Sequence, residues 1–284
     1  MSGKILFPTD FSEPSEMALD CARNLKSAGF DEIILLHVID VPLRVSAGMI
    51  ENFRKHNGMI LEEEKSHLEK EGWRAKVKIE IGSTYEKINE VAEEEDVDLI
   101  IIGARGESWA REAFLGSTTS NVIRTAKKPV LIGKVEFIER VDKIVWRSLC
   151  ERAFRKVLFP TDFSRHSEKA FDFLKKMRPA GVESVILVHV VETGKNAAET
   201  MENRKKAIES LKVIEEELKR LGIECASHVH IGIPSKEILK IAEREDVSMI
   251  IMGTRGRGKI ASLLLGSTAE TVAREARKPV LVVP

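Results

Sequence analysis

The chain contains the same long pattern twice, and that repetition limits its folds more than any other feature. ILFPTDFS at 5–12 returns as VLFPTDFS at 157–164, an offset of 152, and LLHV at 35–38 returns as LVHV at 187–190 with the same offset. AEEEDVDLIIIGARG at 92–106 returns as AEREDVSMIIMGTRG at 242–256, offset 150, with ten residues identical. LGST (115–118) matches LGST (265–268), and KKPVLI (127–132) matches RKPVLV (277–282). The second copy has therefore lost two residues between Val190 and Ile231. A period this long lies well beyond solenoid repeats of roughly 20–50 residues. It means tandem domains, at 1–134 and 156–284, joined by 135–155. The length of 284 residues agrees, since one domain takes roughly 150.

Each copy alternates short β-branched runs with longer amphipathic stretches. In the first, strands are expected near 4–8, 32–38, 75–81, 98–102 and 129–132, with helices near 13–27, 46–71, 84–95 and 117–126. In the second, strands are expected near 156–160, 184–190, 225–231, 248–252 and 279–283. Runs 33–36 and 99–102 are continuously apolar, as parallel strands buried on both faces are. The run 75–81 alternates, so it belongs near an edge. The expected fold class is α/β: two tandem five-stranded parallel doubly wound sheets, order 3-2-1-4-5, with helices on both faces. In 135–155, Phe137, Ile138, Val141, Ile144, Val145 and Leu149 fall at near-helical spacing, which predicts a helical linker.

Composition removes several function classes. Lys+Arg is 45 and Asp+Glu is 45, so the strong basic excess of a dedicated nucleic-acid binder is absent. No apolar run reaches the length of a membrane span. The N-terminal MSGKILFPTDF lacks the apolar core of a secretory signal, and the expected location is cytoplasmic. Cys21, Cys150 and Cys225 form no CxxC pair, so they read as buried or free thiols in a reducing compartment. Charged residues reach 32% and Gln is absent, a composition that leans toward a thermophile.

The order 3-2-1-4-5 puts a topological switch point at the carboxyl ends of strands one and four, where small ligands bind. Strand one ends in Pro8, Thr9 and Asp10, and again in Pro160, Thr161 and Asp162. Strand four leads into Gly103-x-Arg105-Gly106 and into Gly253-x-Arg255-Gly256. Nine residues later come Gly116, Ser117 and Thr118, and their counterparts Gly266, Ser267 and Thr268. Glycines after a strand let backbone N–H groups approach an anion. A serine at a helix start would cap it, while the remaining N–H groups and the dipole favour phosphate. The plainer alternative is that these glycines only permit tight turns and that Ser117 and Ser267 are only caps.

At these residues the chain resembles the universal stress protein family, over nearly its whole length and in two copies. The G-x2-G-x9-G-S/T spacing is that of the family's ATP-binding branch. The resemblance implies that Asp10 and Asp162 contact the nucleoside and that Val38–Ile39 and Val190–Val191 face adenine. It implies that Ile102–Gly103 and Met252–Gly253 line the pocket. Gly106, Gly116–Thr118, Gly256 and Gly266–Thr268 would surround the phosphates. Arg105 and Arg255 reach a phosphate or pair with an acidic neighbour. The implied ligand is ATP, with AMP or ADP left open, and Mg would arrive through the phosphates. The implied role is a stress-response regulatory module, not a fast enzyme. The implied partners are an adenine nucleotide and the other repeat, in an intramolecular pseudo-dimer through 129–132 and 279–283, with a homodimer also open. A slow ATPase or self-phosphorylating enzyme, and a scaffold with empty pockets, are the rival readings.

Other signals are weaker. Gly253–Lys259 has Walker A spacing, but Ile260 replaces the Ser/Thr that would hold magnesium. Gly256–Ala261 matches a dinucleotide fingerprint but follows the fourth strand instead of the first. In the nine-residue arm, Arg257 and Lys259 stand where the first copy carries Glu107, Arg111 and Glu112, so tighter ATP binding is expected in the second copy. His228 and His230 share a strand face and read as surface histidines. His37 and His189, ending strand two, read as satisfied structural histidines.

Overall fold

The computed structural model describes residues 3–40, 46–104, 115–140, 143–150, 153–194, 196–256 and 265–284. The chain divides into two compact units, one ending at Ser148 and the other beginning at Leu149.

The first unit carries strands β1 (Gly3–Pro8), β2 (Phe30–Ile39), β3 (Arg74–Ile81), β4 (Leu99–Gly103) and β5 (Val130–Gly133). They pair in parallel in the order β3-β2-β1-β4-β5. Helices α1 (Glu13–Leu25), α2 (Ala47–Lys70), α3 (Thr84–Glu94) and α4 (Ser117–Thr125) make the crossovers. Every residue of β4 and of β5 is buried. Neighbouring strand residues point to opposite faces, so both faces are covered, as βαβ crossovers require. β3 lies at the end of the strand order, and of its eight residues only Ala75 is buried, as an edge strand allows. Lys78, on β3, pairs there with Glu95 at 2.7 Å.

A hairpin completes this unit: β6 (Val135–Arg140) pairs antiparallel with β7 (Lys143–Ser148). The expected helical linker is therefore wrong over 135–148. The apolar residues fit both periods, but Phe137, Ile138, Ile144, Val145 and Trp146 are β-branched or aromatic and favour the pleated form. The Arg140–Lys143 pair leaves two residues between the strands, the commonest hairpin spacing.

The second unit repeats the plan with β8 (Lys156–Pro160), β9 (Ser184–Val191), β10 (Glu224–Ile231), β11 (Met249–Gly253) and β12 (Val280–Val283). The order is β10-β9-β8-β11-β12, again parallel. The crossovers are α5 (Arg165–Lys176), α6 (Ala197–Arg220), α7 (Pro234–Arg244) and α8 (Ser267–Glu275). Leu158, Phe159, Leu187, Ile250 and Leu281 are fully buried at its centre. α6 turns Ala207, Leu211 and Leu218 inward, and Leu211 and Leu218 are the counterparts of Leu61 and Leu68 on α2. The long charged stretches on the other faces stay exposed, as their 3.6-residue spacing requires.

The cysteine expectation also needs correction. Cys21 and Cys150, both fully buried, are not free thiols, whereas Cys225 is free. Neither of the two sits in a local pairing motif, which is why spacing alone missed this.

Candidate functional site

The parallel order brings three separate stretches of the second unit together. β8 and β11 are neighbours, so the loop that follows β8 and the loop that follows β11 leave the same end of the sheet. The N-terminus of α8 returns beside them, because the Gly266 N–H donates to the Thr254 carbonyl at 2.7 Å. Between them lies a cavity of about 830 Å³, within the range of small-molecule sites. Pro160, Thr161 and Asp162 line it from β8, and Val190 and Val191 from β9. Met252, Gly253, Arg255 and Gly256 line it from β11, and Gly266, Ser267 and Thr268 from the start of α8. The second-copy residues singled out in the sequence thus border one space.

The loop after β8 is tightly held. The Phe163 N–H donates to Thr161 Oγ1 at 3.0 Å, and the Ser164 N–H donates to Asp162 Oδ1 at 3.1 Å. Ser164 then caps α5, its hydroxyl accepting from the Ser167 N–H. The His189 Nδ1–H donates to the Thr161 carbonyl at 2.7 Å, and its ring stacks on Phe163 at 4.7 Å between centroids. Burial pushes the His166 imidazole below the usual histidine range, and the Arg255 guanidinium adds to that. Positive charge is therefore felt at this end of the crevice.

Two glycines in the loop after β11 are required by close approach. A Cβ on Gly253 would sit 2.7 Å from the His166 backbone carbonyl carbon, where β11 meets the start of α5. A Cβ on Gly256 would sit 2.8 Å from Asp162 Oδ2, which shows how closely this backbone passes the carboxylate. The Thr254 side chain lies between them. It is 3% exposed, it borders the cavity, and its Oγ1 has no hydrogen-bond partner among the described residues.

The cap assignment changes at the helix starts. Gly116 and Gly266 are the N-cap residues of α4 and α8, and among the described residues neither helix has a side-chain cap. Ser117 and Ser267 are the first helical residues instead of the caps. A glycine cap satisfies none of the first N–H groups, so they remain available to an anion along with the helix dipole.

The first unit places Pro8, Thr9 and Asp10 at the end of β1 and Val38 and Ile39 at the end of β2. Ile102 and Gly103 close β4, and Gly116, Ser117 and Thr118 open α4. The Gly116 N–H donates to the Ala104 carbonyl at 2.8 Å, as its counterpart does in the second unit. The Ser12 N–H and hydroxyl both donate to Asp10 Oδ1, at 3.1 and 2.6 Å. Arg105 and Gly106 lie outside the described residues, as do Glu107, Arg111, Glu112, Arg257, Lys259 and Ile260.

Several lining residues had no sequence signal. Asn203, Lys206 and Ser210 of α6 border the cavity, as do Pro234 and Ile238 of α7. No motif marks them, because tertiary packing alone brings these helices to the crevice. Phe163 and His189 did have a signal, since both recur at the 152 offset, as Phe11 and His37. His230 pairs with Glu237 at 3.0 Å on the β10 face, consistent with a surface histidine. Among the described residues no three His, Cys, Asp or Glu side chains gather in a way that could hold a metal. No helix among them is long and apolar enough to cross a membrane.

Comparison with known proteins agrees with this architecture. Universal stress protein MJ0577 of Methanocaldococcus jannaschii is 39% identical over 155 residues, covering 47% of this chain and 96% of that protein. Universal stress protein Slr1230 of Synechocystis is 27% identical over 187 residues, covering 66% of this chain and 58% of that one. The crystal structure of a universal stress protein from Archaeoglobus fulgidus superposes with a TM-score of 0.75 at 30% identity. That match covers 100% of this chain and 96% of the other. The universal stress protein family model matches residues 1–134 and again 153–284, and the chain therefore belongs to that family.

Proposed function

We propose that the protein is an ATP-binding regulatory module of the stress response, with one nucleotide crevice in each repeat. The observation that carries this reading is the convergence of Asp162, Gly256 and the uncapped start of α8 on one cavity of about 830 Å³. In this reading Val190 and Val191 face the base and Asp162 the nucleoside. The N–H groups of Gly256, Ser267 and Thr268 surround the phosphates, Arg255 adds charge, and Thr254 Oγ1 finds its missing partner in the ligand. Pro8, Thr9, Asp10, Val38, Ile39, Ile102, Gly103 and Gly116–Thr118 serve the first crevice in the same way. Mg travels with the phosphates. The two repeats pair through the apolar strands β5 and β12, and the protein works in the cytoplasm.

Mass spectrometry of small molecules released from natively purified, then denatured, protein tests this. At least one adenine nucleotide per chain is expected, and two would fill both crevices. No released nucleotide, followed by no binding in an ATP titration to millimolar concentration, would end the reading. A second check uses Ser267→Pro. Proline is well tolerated at the first helical position but removes one N–H. Losing one hydrogen bond to a charged group costs about 1.5–3 kcal/mol, so ATP at the second crevice should bind roughly 10–100-fold more weakly while the melting temperature stays put.

A further inference from the structure

We infer that His189 is a positioning residue: it holds the two neighbours of Asp162 and so sets where that carboxylate stands in the crevice. Its consequence for ligand binding rests on the nucleotide reading above, but the positioning itself does not. β9 runs past the end of β8, since the Thr161 N–H donates to the Val188 carbonyl at 2.9 Å. His189 follows Val188 and comes level with the loop after β8. Its Nδ1 lies 2.7 Å from the Thr161 carbonyl oxygen. A carbonyl only accepts, so Nδ1 carries the proton and the tautomer is fixed. The same ring stacks on Phe163, 4.7 Å between centroids and 26° between planes. One imidazole thus fixes the residue before Asp162 by a hydrogen bond and the residue after it by a stack.

The backbone makes the point sharper. Phe163 has φ 59°, in the left-handed region, which residues other than glycine disfavour. Glycine would adopt that φ freely. A phenylalanine there supplies what glycine lacks, a ring against the imidazole. The first repeat is built alike. The His37 Nδ1–H donates to the Thr9 carbonyl at 2.9 Å, Phe11 stacks on His37 at 4.5 Å, and Phe11 has φ 63°. A histidine that merely satisfied itself would not need a left-handed phenylalanine beside it in both copies. His189 and Phe163 also border the cavity that Asp162 faces.

His189→Asn and His189→Gln separate the two roles in the full-length chain. Asparagine places its amide N–H where Nδ1 stood, whereas glutamine places it one methylene further on, away from the carbonyl. Amide hydrogen exchange of Phe163 and Ser164, followed by NMR without ligand, reads the loop directly. ATP titration reads the consequence. H189Q should speed exchange of both amides by about tenfold or more and weaken ATP at the second crevice about tenfold, the loss of one placed hydrogen bond. H189N forfeits the stack and keeps the donor, so both readouts should change by about threefold, between the parent and H189Q. If H189Q fails to fold, Phe163→Gly takes its place. It keeps the φ and removes the ring, and faster Ser164 exchange is expected. Parent-like exchange in H189Q, or in F163G where that replaces it, would overturn the inference, as would H189N as impaired as H189Q. If the amides respond as expected while the parent binds no ATP, the positioning role stands and the nucleotide reading falls.

Discussion

Replacing Gly256 with valine is expected to weaken ATP binding at the second crevice by about 100-fold or more. The glycine passes so close to Asp162 that a Cβ would stand 2.8 Å from Oδ2. Valine adds two methyl groups beyond that Cβ, so the carboxylate must move and part of the cavity is filled. Displacing one charge-assisted contact already costs about 1.5–3 kcal/mol, and each 1.4 kcal/mol is tenfold in affinity. Lost volume and blocked backbone N–H groups add to that. Alanine adds the Cβ alone, and the atom it meets is the end of a side chain, so Gly256→Ala should lose only about tenfold. Titration calorimetry of the parent and both variants decides it. With valine the isotherm should lose one site per chain while the first crevice titrates normally. Undiminished binding in Gly256→Val would mean that this loop does not touch the ligand.

Cys225 should react with iodoacetamide about a thousand times more slowly than an ordinary thiol at pH 8. Burial pushes its thiol up to about 12, and the nearby Glu215 carboxylate pushes the same way against Lys219. The thiolate is the nucleophile. At pH 8 a group with pKa about 12 is roughly one part in ten thousand ionised, while a free cysteine near 8.5 is about one quarter ionised. Each unit of pH up to about 11 should therefore raise the rate about tenfold, where an ordinary thiol levels off above pH 9. Intact-mass measurement of the native protein follows this as a single adduct, since Cys225 is the free cysteine among the described residues and neither Cys21 nor Cys150 is a free thiol. Rapid modification at pH 8 would show that the β10 edge opens easily.

The strands of each repeat were legible because parallel strands buried on both faces must be apolar at every position, as β4 and β11 are. Short runs flanked by amphipathic stretches then leave little room for another topology. The hairpin was not legible, because Phe137, Ile138, Val141, Ile144 and Val145 suit a helical stripe as well as a pair of strands. What discriminates them is the density of β-branched and aromatic side chains, joined to Asp142 between the strands. The crevice was legible where it is made of backbone. Gly253, Gly256 and Gly266 are needed for close approach or an open helix end, and such needs leave a mark at fixed spacing. The α6 wall left none. Asn203, Lys206 and Ser210 reach the cavity, but in the first copy the equivalent positions, 150 residues earlier, hold Phe53, His56 and Ile60. Side chains that tune a site can diverge between copies, whereas the backbone that forms it cannot.

The glycine caps of α4 and α8 have a consequence for the lifetime of the protein. A helix whose first turn lacks a side-chain cap leaves its first N–H groups to water or to a ligand. In the nucleotide reading the missing partner is an anion whose supply the cell varies. Binding at 100 times the dissociation constant adds about 2.7 kcal/mol to stability, roughly a hundredfold fall in the population that opens. Proteases act on that open population when reclosing is fast. A chain finished by its ligand would then persist while ATP is plentiful and be cleared when it runs short, so its abundance would itself carry the message.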